Sequence, residues 1–409
     1  RVSALNMEKA RAYYGIGRVS LLPTVNATGS WYKERIPADL SASGSAYTAE
    51  KYSVNLGLTS WEIDFFGRIR ALKDSALEEY LASGQALLGY ELALIATVTQ
   101  AYLALAADRE ALVVVTETLK TQEAAFHLIA KRYDTGMASE LDLRRAQTQV
   151  EAARADIARY TQQVALDLNA LGLLVGAGID PAWLPTDLAS FRPLPDPSAG
   201  LDSEPLLSRP DVLAAEHRLK ASNANIGAAR AAFFPRIALT TSAGTASNEL
   251  SGLFKSGSGV WSFSPQITLP IFDARTWYAY DVAKLEKEIA VAQYEKSIQT
   301  AFREVADALA VKGTINRQIE AQEALVNALS IAHRLSESRY NKGIDSYLAV
   351  LDAQRSLYGA RQVLIMLRLA QMSNRITLYK TLGGATASPV DVAALSSADR
   401  QLSHDTQGQ

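Results

Sequence analysis

Four histidines, His127, His217, His333 and His404, are the side chains best suited to hold a metal or move a proton. None stands at ligand spacing from another, and no His-Glu-x-x-His occurs, so packed or solvated imidazoles are expected. Gly176-Ala177-Gly178 opens like a dinucleotide loop, but it follows helical sequence and Pro181 takes the third glycine's place; it reads as a helix stop. No phosphate loop with Gly-Lys-Ser/Thr and no Gly-x-Ser-x-Gly elbow is present. The chain has no cysteine, hence no disulfide, thiolate ligand or lipidated cysteine. Its formal charge of −2, without clustered Lys and Arg, gives no support for a nucleic-acid partner. No enzyme activity and no cofactor or metal site is expected.

What does stand out is Arg132-Tyr133-Asp134-Thr135-Gly136-Met137-Ala138-Ser139-Glu140-Leu141, which returns as Arg339-Tyr340-Asn341-Lys342-Gly343-Ile344-Asp345-Ser346-Tyr347-Leu348. Adding 207 carries Phe65 to Phe272, Arg68 to Arg275, Val98 to Val305, Ala146 to Ala353 and Gly176 to Gly383 without a gap. One inserted residue would rotate a helix face by about 100°, so an ungapped match implies long helices. Each motif is the turn of a helical hairpin, where Gly136 and Gly343 supply a positive φ. Nearer the N-terminus the offset is 212, with Gly15 on Gly227 and Pro23 on Pro235, and a loop between Pro23 and Phe65 is expected to absorb the difference.

The chain thus divides into a first repeat, 1–208 (helix 1–22, strands 24–64, helical hairpin 65–176, connector 177–208), a second, 209–384 (helix 209–234, strands 236–272, hairpin 273–384), and a tail, 385–409. After Pro23 the apolar period becomes two: Val25, Ala27, Gly29 and Trp31, then Tyr52, Val54, Leu56 and Leu58, and in the second repeat Trp261, Phe263, Ile267 and Leu269. Ser, Thr, Asn and Gln fill the other face. This is the pattern of an outer-membrane barrel strand, although a soluble hairpin on a core would carry it too. Four strands cannot close a barrel, which takes about eight, so in lipid several chains must share one.

The hairpin arms from Arg68 to Arg132 and from Ser139 to Gly176 contain no proline; the first is about 65 residues and about 100 Å long. Leu88, Leu92, Ile95, Thr99 and Tyr102 keep the 4,3 spacing of a coiled-coil seam, as do Ile298, Phe302, Val305 and Leu309. Alanine crowds the remaining faces, which suits a wall of helices. No run of about 18 apolar residues occurs, so no transmembrane helix is expected. Seven of the thirteen prolines lie between Pro181 and Pro210, marking an irregular connector. Arg1 stands where a start methionine would be, and a lost or processed N-terminus is expected.

Strand, loop, strand and long helical hairpin, twice over, resembles the TolC family of bacterial outer membrane factors. Glu204-Pro205-Leu206-Leu207-Ser208-Arg209-Pro210-Asp211 and Ala224-Asn225-Ile226-Gly227-Ala228-Ala229-Arg230-Ala231-Ala232-Phe233-Phe234-Pro235 are similar to its drug-efflux branch, which includes OprM. So are Trp61-Glu62-Ile63-Asp64-Phe65-Phe66-Gly67-Arg68 and Leu351-Asp352-Ala353-Gln354-Arg355-Ser356-Leu357. The resemblance implies a mixed α and β membrane protein: a homotrimer whose 12-stranded β-barrel in the outer membrane of a Gram-negative bacterium continues into a 12-helix α-barrel in the periplasm. It implies a passive exit duct for drugs or other small molecules, working with a periplasmic adaptor and an inner-membrane pump. Protein secretion or metal export through the same architecture is the alternative, and a pore-free coiled-coil spacer the alternative of another class. Members of the branch usually begin with a lipid-bearing cysteine, which this chain lacks.

The resemblance also implies roles for particular residues. Thr135, Gly136 and Met137 with Lys342, Gly343 and Ile344 are expected to be the adaptor-docking tips. Leu348 and Asp352, four apart and so on one helix face, are expected to form the periplasmic gate. Trp31, Tyr52, Val54, Leu56, Leu58, Trp261, Phe263 and Leu269 are expected to face lipid, as the apolar members of each alternation.

Overall fold

The computed structural model describes residues 1–191 and 204–384. The expected tail and the middle of the expected connector lie outside those residues. Among the described residues, seven α-helices and one sheet follow in the order α1 (Val2–Val19), β1 (Val25–Ile36), β2 (Tyr47–Ile63), α2 (Arg68–Asp134), α3 (Glu140–Val175), α4 (Glu204–Leu207), α5 (Pro210–Ala231), β3 (Arg236–Ser247), β4 (Gly259–Thr268), α6 (Ala274–Asn341) and α7 (Tyr347–Thr381). The 207-residue register survives in the helix bounds: α2 ends at Asp134 and α6 at Asn341, while α3 begins at Glu140 and α7 at Tyr347. Pro210 opens α5 with Asp211 in its first turn, where a missing N–H costs nothing and a carboxylate meets the helix dipole.

Two compact units cut across the repeats. One comprises Arg1–Leu87 with Pro210–Ser297, the other Leu88–Arg209 with Ile298–Gln409, so α2 and α6 each contribute to both.

The first unit carries the sheet, an antiparallel meander in the order β1-β2-β3-β4 with β1 and β4 at its edges. The difference in repeat offset sits in a strand and not in a loop, contrary to expectation. β2 has 17 residues against 10 in β4, and its extra length includes a bulge between Leu58 and Trp61, where Ser60 has φ of 53°. A bulge lets a strand take an added residue while its apolar side chains stay on one face, so Trp61 still pairs with Leu239. At the strand-to-helix corner the Asp64 carboxylate accepts from Ile69 N (3.0 Å) and Arg70 N (2.9 Å), capping α2. Glu62 binds Arg68 through two oxygens, at 2.9 and 2.8 Å, and also takes Arg236.

The second unit holds the cores of the helical hairpins. Ala96, Leu103, Ala106, Ala107 and Ala111 of α2 pack with Ile365 and Ile376 of α7 and with Leu188 from a turn of the connector. Arg109 donates to Pro185 O (2.8 Å), and Glu110 accepts from Leu188 N (3.3 Å), pinning that turn to α2. Arg209 is buried, donating to Glu304 (2.8 Å) and to Thr381 O (3.0 Å).

Little of the 4,3 seam packs inside the chain: Val305 lies against the core of Leu206, Ala308, Leu378 and Leu382, and the Tyr102 ring against Phe191. Leu88, Ile95, Phe302 and Leu309 are exposed, and the buried side of α2 is its alanine-rich face. One window of α2 is apolar and charge-poor enough to cross a membrane by length and composition alone, without being an unbroken apolar run. Its apolar residues lie largely uncovered.

Candidate functional site: helical tips, gate positions and sheet face

Both hairpin turns close by the same backbone device. At the first, Gly136 N donates to Tyr133 O (2.9 Å) and Met137 N to Arg132 O (2.7 Å); at the second, Gly343 N donates to Tyr340 O (2.9 Å) and Ile344 N to Arg339 O (3.0 Å). This paired pattern needs a left-handed residue between helix and turn, and Gly136 and Gly343 provide it at φ of 72° and 71°. The residue after such a glycine ordinarily folds back onto the last helical turn. Met137 and Ile344 instead remain 73% and 59% exposed, so each tip presents an apolar side chain outward. Thr135 and Lys342 are exposed beside them.

Beneath the turns, Ile129, Ala146, Tyr347, Val350 and Leu351 form a small core with Phe126, Leu143 and Tyr340, so the two tips support one another. The Arg132 guanidinium lies 4.9 Å over the Tyr340 ring. Burial pushes the Tyr347 hydroxyl up to about 12, with Tyr340, Asp142 and Glu337 adding to it, so the tyrosine is neutral at any physiological pH. The tips differ in their polar closure. Ser139 Oγ accepts from Asp142 N (3.1 Å) to cap α3, whereas the second turn is held by Arg339 on Asp345, at 2.6 and 3.0 Å.

Leu348 and Asp352 share one exposed face of α7, because Tyr347, Val350, Leu351, Gln354 and Leu357 take the buried face. Leu348 is 40% exposed. Asp352 accepts from Arg355 Nη2 at 3.3 Å, and both side chains are solvated. Sequence reasoning passed over Arg355, although an arginine three residues after an aspartate on a helix is itself the signal. It also passed over the polar clasp above the tips: Tyr358 Oη donates to Asp156 (2.9 Å) of α3, and Gln362 donates to Tyr358 Oη (2.6 Å) and Tyr160 Oη (3.1 Å). Nothing local marks that clasp, since its members lie some two hundred residues apart.

In the sheet, Val25 pairs with Leu58, Ala27 with Leu56, Gly29 with Val54 and Trp31 with Tyr52. Across the next strands Leu58 meets Thr241 and Leu56 meets Ala243, which in turn pair with Phe263 and Trp261. The expected set therefore shares one face, except Leu269, which lies just beyond the end of β4 at Thr268. That face is open: Trp31 is 63% and Trp261 81% exposed, while Val54, Leu56 and Phe263 are exposed as well. The opposite face is polar: Ser53 is its buried member, hydroxyl pairs join Ser30 to Ser53 (2.7 Å) and Ser242 to Ser262 (2.8 Å), and Asn26, Thr28, Ser264 and Gln266 are exposed. Gly57 and Gly244 lie on it, and a Cβ at either would stand on the neighbouring strand's backbone, at Thr241 to Ser242 or at Val54 to Asn55. Glycine here lets the sheet bend tightly around its polar side.

Residues 1–177 and 201–384 match the family model described as outer membrane efflux protein. The toluene efflux pump outer membrane protein TtgC of Pseudomonas putida is 48% identical over 387 residues, 94% of this chain and 80% of that protein. Outer membrane protein OprJ of Pseudomonas aeruginosa is 45% identical, with 94% and 81% covered. The outer membrane channel MtrE of Neisseria gonorrhoeae, solved in its open state, superposes with a TM-score of 0.84 at 39% identity over 94% of this chain and 85% of that one. A sheet with its apolar face outward, two proline-free helical hairpins in repeat register and this breadth of similarity lead to one conclusion: the chain belongs to the outer membrane efflux protein family.

Proposed function

We propose that the chain is one of three protomers forming a passive exit duct in the outer membrane for small apolar or amphipathic compounds, fed by an inner-membrane pump through a periplasmic adaptor. The observation that carries this is the inverted sheet. In water, an exposed face of Trp, Leu, Val and Phe backed by hydroxyl groups would be costly; in lipid, that polarity is required. Two unpaired edges, β1 and β4, would each leave backbone groups unsatisfied there, and three copies joined edge to edge give twelve strands and no edge. A pore-free spacer has no use for such a sheet. Relatives named for toluene and antibiotic efflux favour small organic cargo over protein or metal.

Within this reading the tips meet the adaptor through Met137 and Ile344. The gate gathers three copies of Leu348 and Asp352 around the axis, giving an apolar constriction with an acidic ring that favours cations. Single-channel recording in a planar bilayer tests the duct: a discrete, cation-preferring conductance of the purified trimer is expected, and a monomer without conductance would overturn it. Leu56→Arg tests the membrane face. If Leu56 lies near the bilayer midplane, it should lower folding stability in lipid by about 2–4 kcal/mol; unchanged insertion would show that the face is turned elsewhere.

A further inference from the structure

We propose that Lys33 and Arg35 form a binding strip for the phosphate of a lipid headgroup in the leaflet at the loop end of the sheet, an inference that rests on the membrane reading of the sheet's apolar face. The strands join α1, α2, α5 and α6 at one end, and loops 37–46 and 248–258 close the other. The β1–β2 register is unbroken from Val25 to Ile36, so alternation from Trp31 places Lys33 and Arg35 on the apolar face, one and two pairs further toward the loops. The face that begins with Val25, Ala27 and Gly29 thus ends in two cations.

Between them lies a marker of depth. Trp31 and Tyr52 stack with ring centroids 6.3 Å apart, and both donate to Glu50 Oε1 at 3.0 Å. Aromatic rings with their polar atoms drawn to one end are the interfacial girdle of a membrane protein, with hydrocarbon on one side and headgroups on the other. Glu50 is therefore already engaged by two donors, and Lys33 Nζ approaches it at 3.6 Å. Arg35, one pair further out, is exposed opposite uncharged Thr48 and forms no ion pair among the described residues. A guanidinium just beyond an aromatic girdle matches a phosphate at headgroup depth, which it can hold through two parallel hydrogen bonds. Lys51 is a built-in control: it pairs with Tyr32 and so sits on the opposite, polar face.

The trimer would be placed in nanodiscs of zwitterionic phosphatidylcholine, and lipid A, a bisphosphorylated glycolipid, titrated in, with bound lipid per trimer read by native mass spectrometry. Failure of the parent protein to enter the disc as a trimer would count against the membrane reading itself. Given entry, the parent should hold lipid A, and Lys33→Gln with Arg35→Gln should bind it roughly thirtyfold more weakly, as two cations near an anionic surface imply. Lys33→Arg alone should keep the parent's binding, Arg35→Lys should fall between the parent and the double glutamine variant, and Lys51→Gln should match the parent. Dephosphorylated lipid A should bind the parent as poorly as lipid A binds the double glutamine variant, and millimolar inorganic phosphate should not displace the lipid. Equal lipid A binding by parent and double glutamine variant, equal binding of the dephosphorylated lipid, a matching loss in Lys51→Gln, or displacement by free phosphate would each overturn the assignment.

Discussion

The second arms of the two hairpins, α3 and α7, occupy equivalent places in the repeat, yet their faces differ. Helix α3 buries only Ala146, Val150, Ala153 and Leu171, and leaves Leu141, Leu166 and Leu173 exposed. Helix α7 buries Tyr347, Val350, Leu351, Leu357, Leu364, Ile365, Ile376 and Leu378. Position by position, buried Leu351 stands where the first copy has exposed Arg144, which binds Glu140 and Gln147. Asp352 stands where it has Arg145, and buried Ile315 where it has Asp108. Duplication preserved helix length and turn geometry, because these depend on backbone and spacing. Side chains were free to diverge, so the second copy's returning arm, α7, joins α2 in the core within the chain, while the first copy's, α3, leaves an apolar surface of the kind a neighbouring chain would cover.

The sharpest way to break this contrast is to truncate equivalent residues. Leu351→Ala should cost about 2–5 kcal/mol, since it opens a cavity in the tip core. Arg144→Ala should stay within about 0.5 kcal/mol. Denaturant titration of both would refute the asymmetry if the two losses were alike. Where the copies agree, they should fail alike. Gly136→Val and Gly343→Val each force a β-branched residue to positive φ and should cost about 1–2 kcal/mol; both should abolish efflux in cells while the purified trimer persists, and loss of the trimer would mean that the glycines serve folding alone.

A smaller effect is expected on conduction. Leu348→Ala with Asp352→Ala should raise single-channel conductance severalfold and remove cation preference, whereas Leu141→Ala with Arg145→Ala should do neither. Equal changes in the two variants would place the constriction outside the second copy.

The smallest effect concerns Asp108. Burial, then a hydrogen bond and repulsion from Asp167, push it up from 3.8 to about 6, against a weaker pull from Arg159. The folded state thus favours the protonated acid: this stability is present below about pH 4 and is lost as pH rises toward 6. After allowance for solvent screening it is on the order of 1 kcal/mol. Asp108→Asn should flatten thermal stability across that interval, and Asp108→Ile should make the site resemble Ile315 of the second copy. A pH profile unchanged by either would show that the acid pair is not strained.

Much was legible in the chain itself. Helix bounds, both tip glycines and the shared face of the strands follow from local rules of period, capping and φ, which act over a few residues and leave their mark in sequence order. Leu348 and Asp352 could be placed on one helix face by spacing alone. Tertiary structure alone decided which face of α2 is buried, because an alanine stripe and a leucine stripe on one helix are equally able to pack, and only the partners α7 and the connector choose between them. It likewise placed the five-residue offset in β2, paired Tyr358 with Asp156, and buried Ser53 on the sheet's polar face. Each of these depends on groups far apart in the chain meeting in space, where close packing and hydrogen-bond satisfaction, not sequence order, set the outcome.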